Sequence, residues 1–307
     1  MILDGVQIGI GTWAWGDRLV WQYGTDYEED DLRDVFRRAL QDDIQYFAVS
    51  ESFGEGKAET LLSKFETQFK TRMIVSTKYV SRPWRFRHQD FMEALKDSLR
   101  RLNRNTIELY EFMPPSGPMK LEKMADYAAE ALDLGLIKNI GVSNFTLSQL
   151  DRFTEAMKRF GYPVTCLETE YNLLERSIET NGILRFCEDT NIRLVAQNPL
   201  AMGYLTGKYD AINPASGNRR QLMRKYCTPA LNLLIRTMNN IGMENNGQNC
   251  AQVSLNWLIC KGVIPIPGAK RVEQAIENNS VGTWRMTDEQ FELLNNVSRQ
   301  VQTVNSQ

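Results

Sequence analysis

Short runs of β-branched and apolar residues alternate with amphipathic helical segments along the whole chain. Eight runs have the length and composition of buried strands: residues 7–15, 44–50, 72–79, 106–113, 137–144, 164–171, 192–199 and 262–268. Helical spacing predicts helices over residues 28–41, 57–68, 89–102, 120–134, 147–159, 177–190, 229–243, 249–261 and 271–280. Because helices separate successive strands, the strands are expected to run parallel. The pattern predicts an α/β fold of the (β/α)8 TIM-barrel type.

The chain is predicted to form one domain over residues 1–307, since no linker or change of composition divides it. Residues 208–227 are irregular in composition and are expected to form an elaborated loop after the seventh strand, followed by an extra helix. A last helix is expected from residue 286 to about residue 301. The loops that follow the strands form the functional face of such a barrel.

Charge and composition narrow the class of ligand. A formal net charge of −2 gives no basic surface for nucleic acid or an anionic membrane. The chain contains one histidine, His88, and five widely spaced cysteines, so no metal site is expected. No signal peptide and no run of eighteen apolar residues is visible. We therefore expect a cytoplasmic protein whose partner is a small molecule in the barrel mouth.

Seven motifs occur in order along nearly the whole chain. They are GTWAWGD (11–17), SFGEGKAET (52–60), STKY (76–79), ALKDSLRRL (94–102), IGVSNF (140–145), PLAMGYLTGKY (199–209) and QVSLNWLICKGVIPIPGAK (252–270). In these motifs the chain resembles the aldo-keto reductase family, especially its plant and cyanobacterial members. The resemblance implies a barrel that binds NADPH across its top and passes a hydride to a carbonyl. In the family a Tyr donates the proton, a Lys paired with an Asp tunes that Tyr, and a His orients the carbonyl.

Three of these four catalytic positions carry other residues here. By resemblance, YFAVSESFG (46–54) places Ala48 where the family has its Asp and Phe53 where it has its Tyr. LYEFMPP (109–115) places Met113 where the family has its His. Lys78 in STKY is retained. The resemblance therefore implies that the ordinary carbonyl reduction is weak or lost.

The nicotinamide end of the cofactor site also departs from the family pattern. Ser143 and Asn144 match the pair that holds the carboxamide. The family's Gln in the next motif is Glu168, and the aromatic residue that stacks under the nicotinamide is Gln197. An acid thus replaces an amide, and the stacking ring is absent.

The phosphate and adenine half matches the family. PLAMGYLTGK (199–208) resembles the loop whose backbone amides and Lys208 hold the pyrophosphate, and IPGAKRVEQAIEN (266–278) resembles the 2′-phosphate and adenine site. The positions expected to bind NADP(H) in this half are Leu200, Gly203, Leu205, Lys208, Gly268, Lys270, Arg271, Gln274 and Asn278. Lys270 and Arg271 are expected to meet the phosphate at the N-terminus of the following helix.

Lys78 requires a new partner if no carboxylate stands at position 48, because an unpaired buried cation is costly. Side chains two apart on a strand share a face, so Glu111 is expected to point into the lumen with Met113 and to pair with Lys78. Glu168 is expected on the lumen face of the sixth strand, and Glu51 is a further candidate for the lumen. Lys78, Glu111, Glu168 and Glu51 are thus the candidate catalytic residues.

Three function classes remain open. The first is an NADP(H)-binding oxidoreductase-family protein with weak or lost carbonyl reduction. The second is a repurposed, non-redox barrel enzyme in which Glu168 or Glu111 acts as a general base, or Lys78 acts as an amine nucleophile. The third is a non-catalytic protein that uses the barrel as a ligand sensor or to engage a partner.

Overall fold

In the computed structural model, which describes residues 2–209, 213, 215 and 229–305, eight strands form one parallel sheet in chain order. The strands are β1 (Ile10–Gly11), β2 (Tyr46–Ala48), β3 (Ile74–Tyr79), β4 (Leu109–Phe112), β5 (Ile140–Ser143), β6 (Val164–Glu170), β7 (Arg193–Gln197) and β8 (Ile264–Pro265). A parallel bridge between Gly11 and Gly268 brings the two ends of the sheet together. The predicted TIM-barrel fold is confirmed.

Helices follow the strands and cover the outside of the sheet. They are α1 (Glu29–Gln41), α2 (Lys57–Phe69), α3 (His88–Arg101), α4 (Leu121–Asp133), α5 (Leu147–Lys158), α6 (Ile183–Thr190), α7 (Pro229–Glu244), α8 (Cys250–Cys260), α9 (Val272–Asn279) and α10 (Asp288–Asn305). Short 3₁₀ turns occupy Phe53–Gly56, Ser177–Glu179, Ala201–Thr206 and Ser280–Thr283. The larger apolar core lies between the sheet and this helical layer.

A smaller apolar cluster fills the lower part of the lumen. It contains Leu3, Tyr46, Ala48, Leu109, Cys166, Val195, Ile264 and Ile266. Leu3 precedes β1 and is fully buried, so the start of the chain closes the N-terminal end of the barrel. Within this cluster the Tyr46 hydroxyl is hydrogen-bonded to Ser76 Oγ at 3.0 Å.

The first and last strands are shorter than the sequence pattern predicts. Residues 7–15 contribute only Ile10–Gly11, and residues 262–268 contribute only Ile264–Pro265. Pro265 and Pro267 have no backbone N–H to donate to a ladder. Their carbonyls instead accept from the amides of Gly9 and Gly11, each at 3.0 Å.

The predicted extra helix after the seventh strand is present as α7, which packs against the C-terminal helix α10. The segment predicted at residues 177–190 is divided into the turn Ser177–Glu179 and α6. Apart from residues 208, 209, 213 and 215, the predicted loop over 208–227 lies outside the described residues. Among the described residues, no helix is long and apolar enough to cross a membrane.

Candidate active site

Lys78 lies between two carboxylates inside the barrel. Its Nζ is 2.8 Å from Glu168 Oε2 and 3.3 Å from Glu111 Oε2. The same ammonium donates to the backbone carbonyl of Val49 at 3.2 Å. The expected pair between Lys78 and Glu111 is therefore present, and Glu168 joins it from β6. We call Lys78, Glu111 and Glu168 the lumen triad.

Strand register explains why these side chains meet. Lys78 on β3 is the direct neighbour of Glu111 on β4. Glu111 in turn neighbours Gly141 on β5, where a Cβ would lie 2.6 Å from Cys166 Sγ and 2.9 Å from Glu111 Cγ. Glycine at position 141 thus leaves the space through which the Glu111 side chain enters the lumen.

Burial and charge set the protonation of the triad. All three side chains are at most 4% exposed. Burial alone lowers the pKa of Lys78, but the charges of Glu111 and Glu168 overcome this and raise it above its ordinary value. Burial and repulsion by Glu168 raise the pKa of Glu111 to about 8, against the opposing attraction of Lys78. At neutral pH Lys78 is therefore charged, and the raised pKa of Glu111 favours its protonated form.

Lys78 is held by three oxygen atoms of the protein. An ammonium has three N–H groups. Here three acceptors surround Nζ, namely the Val49 carbonyl and the carboxylates of Glu111 and Glu168. The adjacent carboxylates raise the pKa of Lys78 and so oppose a role for it as an amine nucleophile, which has to be deprotonated.

Glu51 is not part of the triad. Its carboxylate accepts from Arg85 Nη1 at 2.7 and 2.9 Å and from the backbone amide of Val80 at 2.8 Å. Glu51 follows the end of β2, beyond the strand whose alternation would direct it inward. The interpretation of Glu51 as a lumen residue is therefore corrected: it fixes the segment after β3 at the rim.

A cavity of about 490 Å³ opens above the triad. Lys78 and Glu168 line one end, together with Ala48, Phe53 and Gln197. Leu200, Gly203, Lys208, Gly268, Lys270 and Gln274 line the remainder from the loops after β7 and β8. Glu111 is fully buried and is not among the residues that line the cavity.

The residues at positions 53 and 113 differ in their access to the cavity. The Phe53 ring lies 5.9 Å from Lys78 Nζ and stacks on Trp13, with 6.4 Å between ring centroids. Met113, directly after β4, is not among the residues that line the cavity. Its backbone amide donates to the carbonyl of Tyr79 at 3.2 Å, which continues the β3–β4 ladder.

Several residues that were expected to bind the cofactor use their side chains for contacts within the protein. Leu205 packs in the apolar core, and the Asn278 amide donates to the carbonyl of Gly268 at 3.4 Å. Gln274 Oε1 accepts from the backbone amides of Lys270 and Arg271 at 2.8 and 3.3 Å, which caps α9.

The carboxamide pair is also engaged within the protein. Asn144 Oδ1 accepts from Gln197 Nε2 at 2.9 Å, and Asn144 Nδ2 donates to Ser143 Oγ at 3.4 Å. Among these three residues, only Gln197 lines the cavity.

The two basic residues after β8 bind the loop between β1 and α1. Lys270 Nζ is 2.7 Å from Asp26 Oδ2. Arg271 Nη2 donates to the backbone carbonyl of Asp26 at 2.6 Å, and Arg271 Nη1 is 3.8 Å from Asp31 Oδ1. Lys270 lines the cavity and Arg271 does not. Lys270 and Arg271 therefore already have acidic neighbours.

Sequence reasoning missed the contribution of the loop between β1 and α1. Trp13, Trp21 and Asp26 all line the cavity. Three tryptophans within residues 13–21, directly after the first strand, were the available signal. Such an aromatic segment on the functional face of a barrel indicates a binding wall rather than a simple connection.

The cavity suits a nicotinamide dinucleotide at its phosphate end. It combines two glycines, Gly203 and Gly268, with the cations Lys208 and Lys270 beside the N-terminus of α9. Backbone amides, ammonium groups and a helix N-terminus are the usual ligands of phosphate. The opposite end of the cavity, where Glu168 and Gln197 lie beside the triad, is less typical of a nicotinamide dinucleotide site.

Comparison with known proteins gives a consistent result. Residues 7–299 match the model of the aldo/keto reductase family. The chain is 33% identical to pyridoxal reductase, chloroplastic, from Arabidopsis thaliana, over 93% of this chain and 81% of that protein.

Solved structures agree with this match. A thermostable aldo-keto reductase crystallised with the inhibitor epalrestat superposes with a TM-score of 0.75 at 27% identity, over 95% of this chain and 94% of that one. An aldo-keto reductase from Klebsiella pneumoniae in complex with NADPH shares the fold, with a TM-score of 0.71 at 21% identity over 95% and 90% of the two chains. The chain is a member of the aldo/keto reductase family of oxidoreductases.

Proposed function

We propose that this protein binds NADP(H) in the cavity and that its ordinary carbonyl reduction is weak or lost. The observation that carries the proposal is the Phe53 ring, which lines the cavity beside Lys78. By resemblance this is the position of the family's proton-donating Tyr. A phenyl ring has no proton to give to a nascent alkoxide.

Cofactor binding is supported by the phosphate end of the cavity. Lys208 and Lys270 supply positive charge, and Gly203 and Gly268 let a ligand approach the backbone. The bound cofactor would supply a hydride to a carbonyl placed near Lys78. The residues proposed to contact the cofactor are Leu200, Gly203, Lys208, Gly268 and Lys270. The other residues predicted from the sequence would support the site through their contacts within the protein.

Weak reduction follows from the chemistry that the lumen lacks. A positioned acid contributes about 10²- to 10⁴-fold to a rate. Phe53 cannot be that acid, and Lys78 Nζ donates to the Val49 carbonyl and is ion-paired with Glu111 and Glu168. Ala48 and Met113, at the family's Asp and His positions, offer no titratable group.

Altered placement of the nicotinamide would lower the rate further. Gln197 stands where the family has its stacking ring, and its amide is used by Asn144. Glu168 presents a carboxylate where the family has an amide. A misplacement of about 1 Å can cost a further 10²-fold.

One observation favours a second candidate function, non-redox acid/base chemistry. Glu168 both lines the cavity and contacts Lys78, so it is a buried carboxylate with access to a ligand. A general base requires this combination of access and controlled ionisation. A sensor without turnover, the third class, would bind ligands at the same cavity.

Binding and turnover measured on one preparation test the proposal. Trp13 and Trp21 line the cavity, so NADPH should quench tryptophan fluorescence in a saturable way. NADPH consumption is then followed with 4-nitrobenzaldehyde, and with pyridoxal because of the similarity to the Arabidopsis enzyme. We expect saturable binding with turnover at or near background. Absence of binding refutes the cofactor assignment, and robust turnover refutes the loss of reduction.

A further inference from the structure

Asp26 occupies the cationic end of the cavity. It belongs to the loop between β1 and α1, and it lines the cavity together with Lys270. Its carboxylate lies 2.7 Å from Lys270 Nζ and 4.0 Å from Arg271 Nη2. A carboxylate of the protein thus holds the ammonium that a phosphate group in this end of the cavity would need.

Lys270 is positioned by more than this ion pair. Its Nζ lies 4.8 Å from the centroid of the Tyr27 ring and 6.0 Å from that of Trp21. Its backbone amide donates to Gln274 Oε1 at 2.8 Å. Removing the charge of Asp26 should therefore leave the ammonium facing the cavity. Arg271 holds the same loop through the backbone carbonyl of Asp26, which a side-chain substitution does not remove.

We propose that Asp26 is a specificity-determining residue that weakens the binding of the 2′-phosphorylated cofactor. The inference rests on the proposed function, because it takes Lys270 as the ligand of the 2′-phosphate. NADPH has to displace the Asp26 carboxylate from Lys270 before its phosphate can bind there. NADH carries no such phosphate and leaves the Asp26–Lys270 contact in place. The preference for NADPH is therefore smaller than Lys270 and Arg271 alone would give.

The Asp26→Asn variant tests this inference by calorimetric titration with NADPH and NADH. Asp26 is about half exposed, and ion pairs of this kind contribute up to about 1 kcal/mol, which corresponds to about five-fold in affinity. We expect NADPH to bind about 3- to 5-fold more tightly to the variant, with NADH changed less than about two-fold. The fragments 2′,5′-ADP and 5′-AMP lack the nicotinamide, so they remove any contribution from that end of the cofactor. We expect 2′,5′-ADP, which carries the 2′-phosphate, to bind more tightly to the variant, and 5′-AMP to change little.

Asp30→Asn is the matched control. It changes net charge equally and lies on α1, four residues further along, where Asp30 contacts Arg33 at 2.8 Å. A similar gain in this control would attribute the effect to overall charge and overturn the inference. Asp26→Ser is the second variant, so that a folding defect caused by the amide does not decide the result.

The remaining outcomes separate the inference from the proposed function. If the unmodified protein binds NADPH and neither Asp26 variant binds it more tightly, the inference is wrong and the proposed function stands. If the Asp26 variants gain equal affinity for NADH and NADPH, the inference is likewise wrong and the proposed function stands. If none of the proteins binds either dinucleotide, the proposed function is wrong and the inference is overturned with it.

Discussion

The Nζ of Lys78 lies 2.8 Å from the Glu168 carboxylate, on a strand three positions around the barrel. Glu111, on the strand next to Lys78, completes the triad at 3.3 Å. These two contacts account for a buried lysine beside Ala48, and they keep the lysine in its charged form. The stability of the barrel and the proposed loss of reduction thus depend on the same cluster.

Replacing Lys78 should expose how strongly the triad depends on its cation. Lys78→Met leaves the buried carboxyl groups of Glu111 and Glu168 without the positive charge beside them. Removing one partner of a buried ion pair costs about 3–5 kcal/mol, and we expect a loss of this size in the free energy of unfolding at pH 7. Urea denaturation measures it. Lys208→Met, at an exposed lysine, is the control and should change stability by less than about 0.5 kcal/mol. An equal loss of unfolding free energy for the two substitutions would contradict the assignment of Lys78 as the cation of a buried ion-paired triad.

Glu111 should make stability depend on pH. Its pKa is raised from 4.5 to about 8 in the folded state, so the folded protein binds more protons than the unfolded chain between these values. The corresponding stabilisation is complete below pH 4.5 and is lost as pH rises through about 8. Glu111→Gln resembles the protonated form and removes this dependence. Unfolding free energies from pH 5 to 9 should fall more steeply for the unmodified protein. Parallel profiles would show that Glu111 does not titrate in this way.

The space that the Glu111 side chain occupies in the lumen should depend on the absence of a side chain at Gly141. A methyl group at this position would lie 2.6 Å from Cys166 Sγ and 2.9 Å from Glu111 Cγ. Gly141→Ala should therefore destabilise the protein by about 1–3 kcal/mol, as overpacking of a core does. Gly268→Ala is a suitable control because the nearest atom to its Cβ is 3.6 Å away. Thermal unfolding distinguishes the two variants, and a neutral Gly141→Ala would mean that the lumen is looser than described.

Cofactor preference should depend on the basic residues after β8. Lys270→Ala with Arg271→Ala removes the cation that lines the cavity, together with its neighbour, which the family resemblance also places at the 2′-phosphate. We expect NADPH to lose affinity by about ten-fold or more, with little change for NADH, since each charge-assisted bond contributes about 1.5–3 kcal/mol. Fluorescence titration with both cofactors measures the ratio. Equal affinity for NADPH and NADH in the unmodified protein would contradict a specific 2′-phosphate site.

Local periodicity predicted the barrel and the facing of Lys78 toward Glu111, because strand alternation and the order of neighbouring strands determine both. It did not predict that Glu168 would reach the same ammonium. That contact spans β4 and β5 and depends on how the barrel closes, which spacing along one strand does not report. Asp26 was missed for a related reason, since its loop has no periodic pattern that indicates which residue meets Lys270.

Reduction of 4-nitrobenzaldehyde by NADPH tests the central claim most directly when the unmodified protein is compared with a reverted variant. The variant combines Ala48→Asp, Phe53→Tyr, Met113→His, Glu168→Gln and Gln197→Tyr, which rebuild the family's catalytic positions. We predict turnover at or near background for the unmodified protein and measurable turnover for the variant. Robust turnover by the unmodified protein that is abolished by Lys78→Met would show that the triad supplies the proton and would contradict the account.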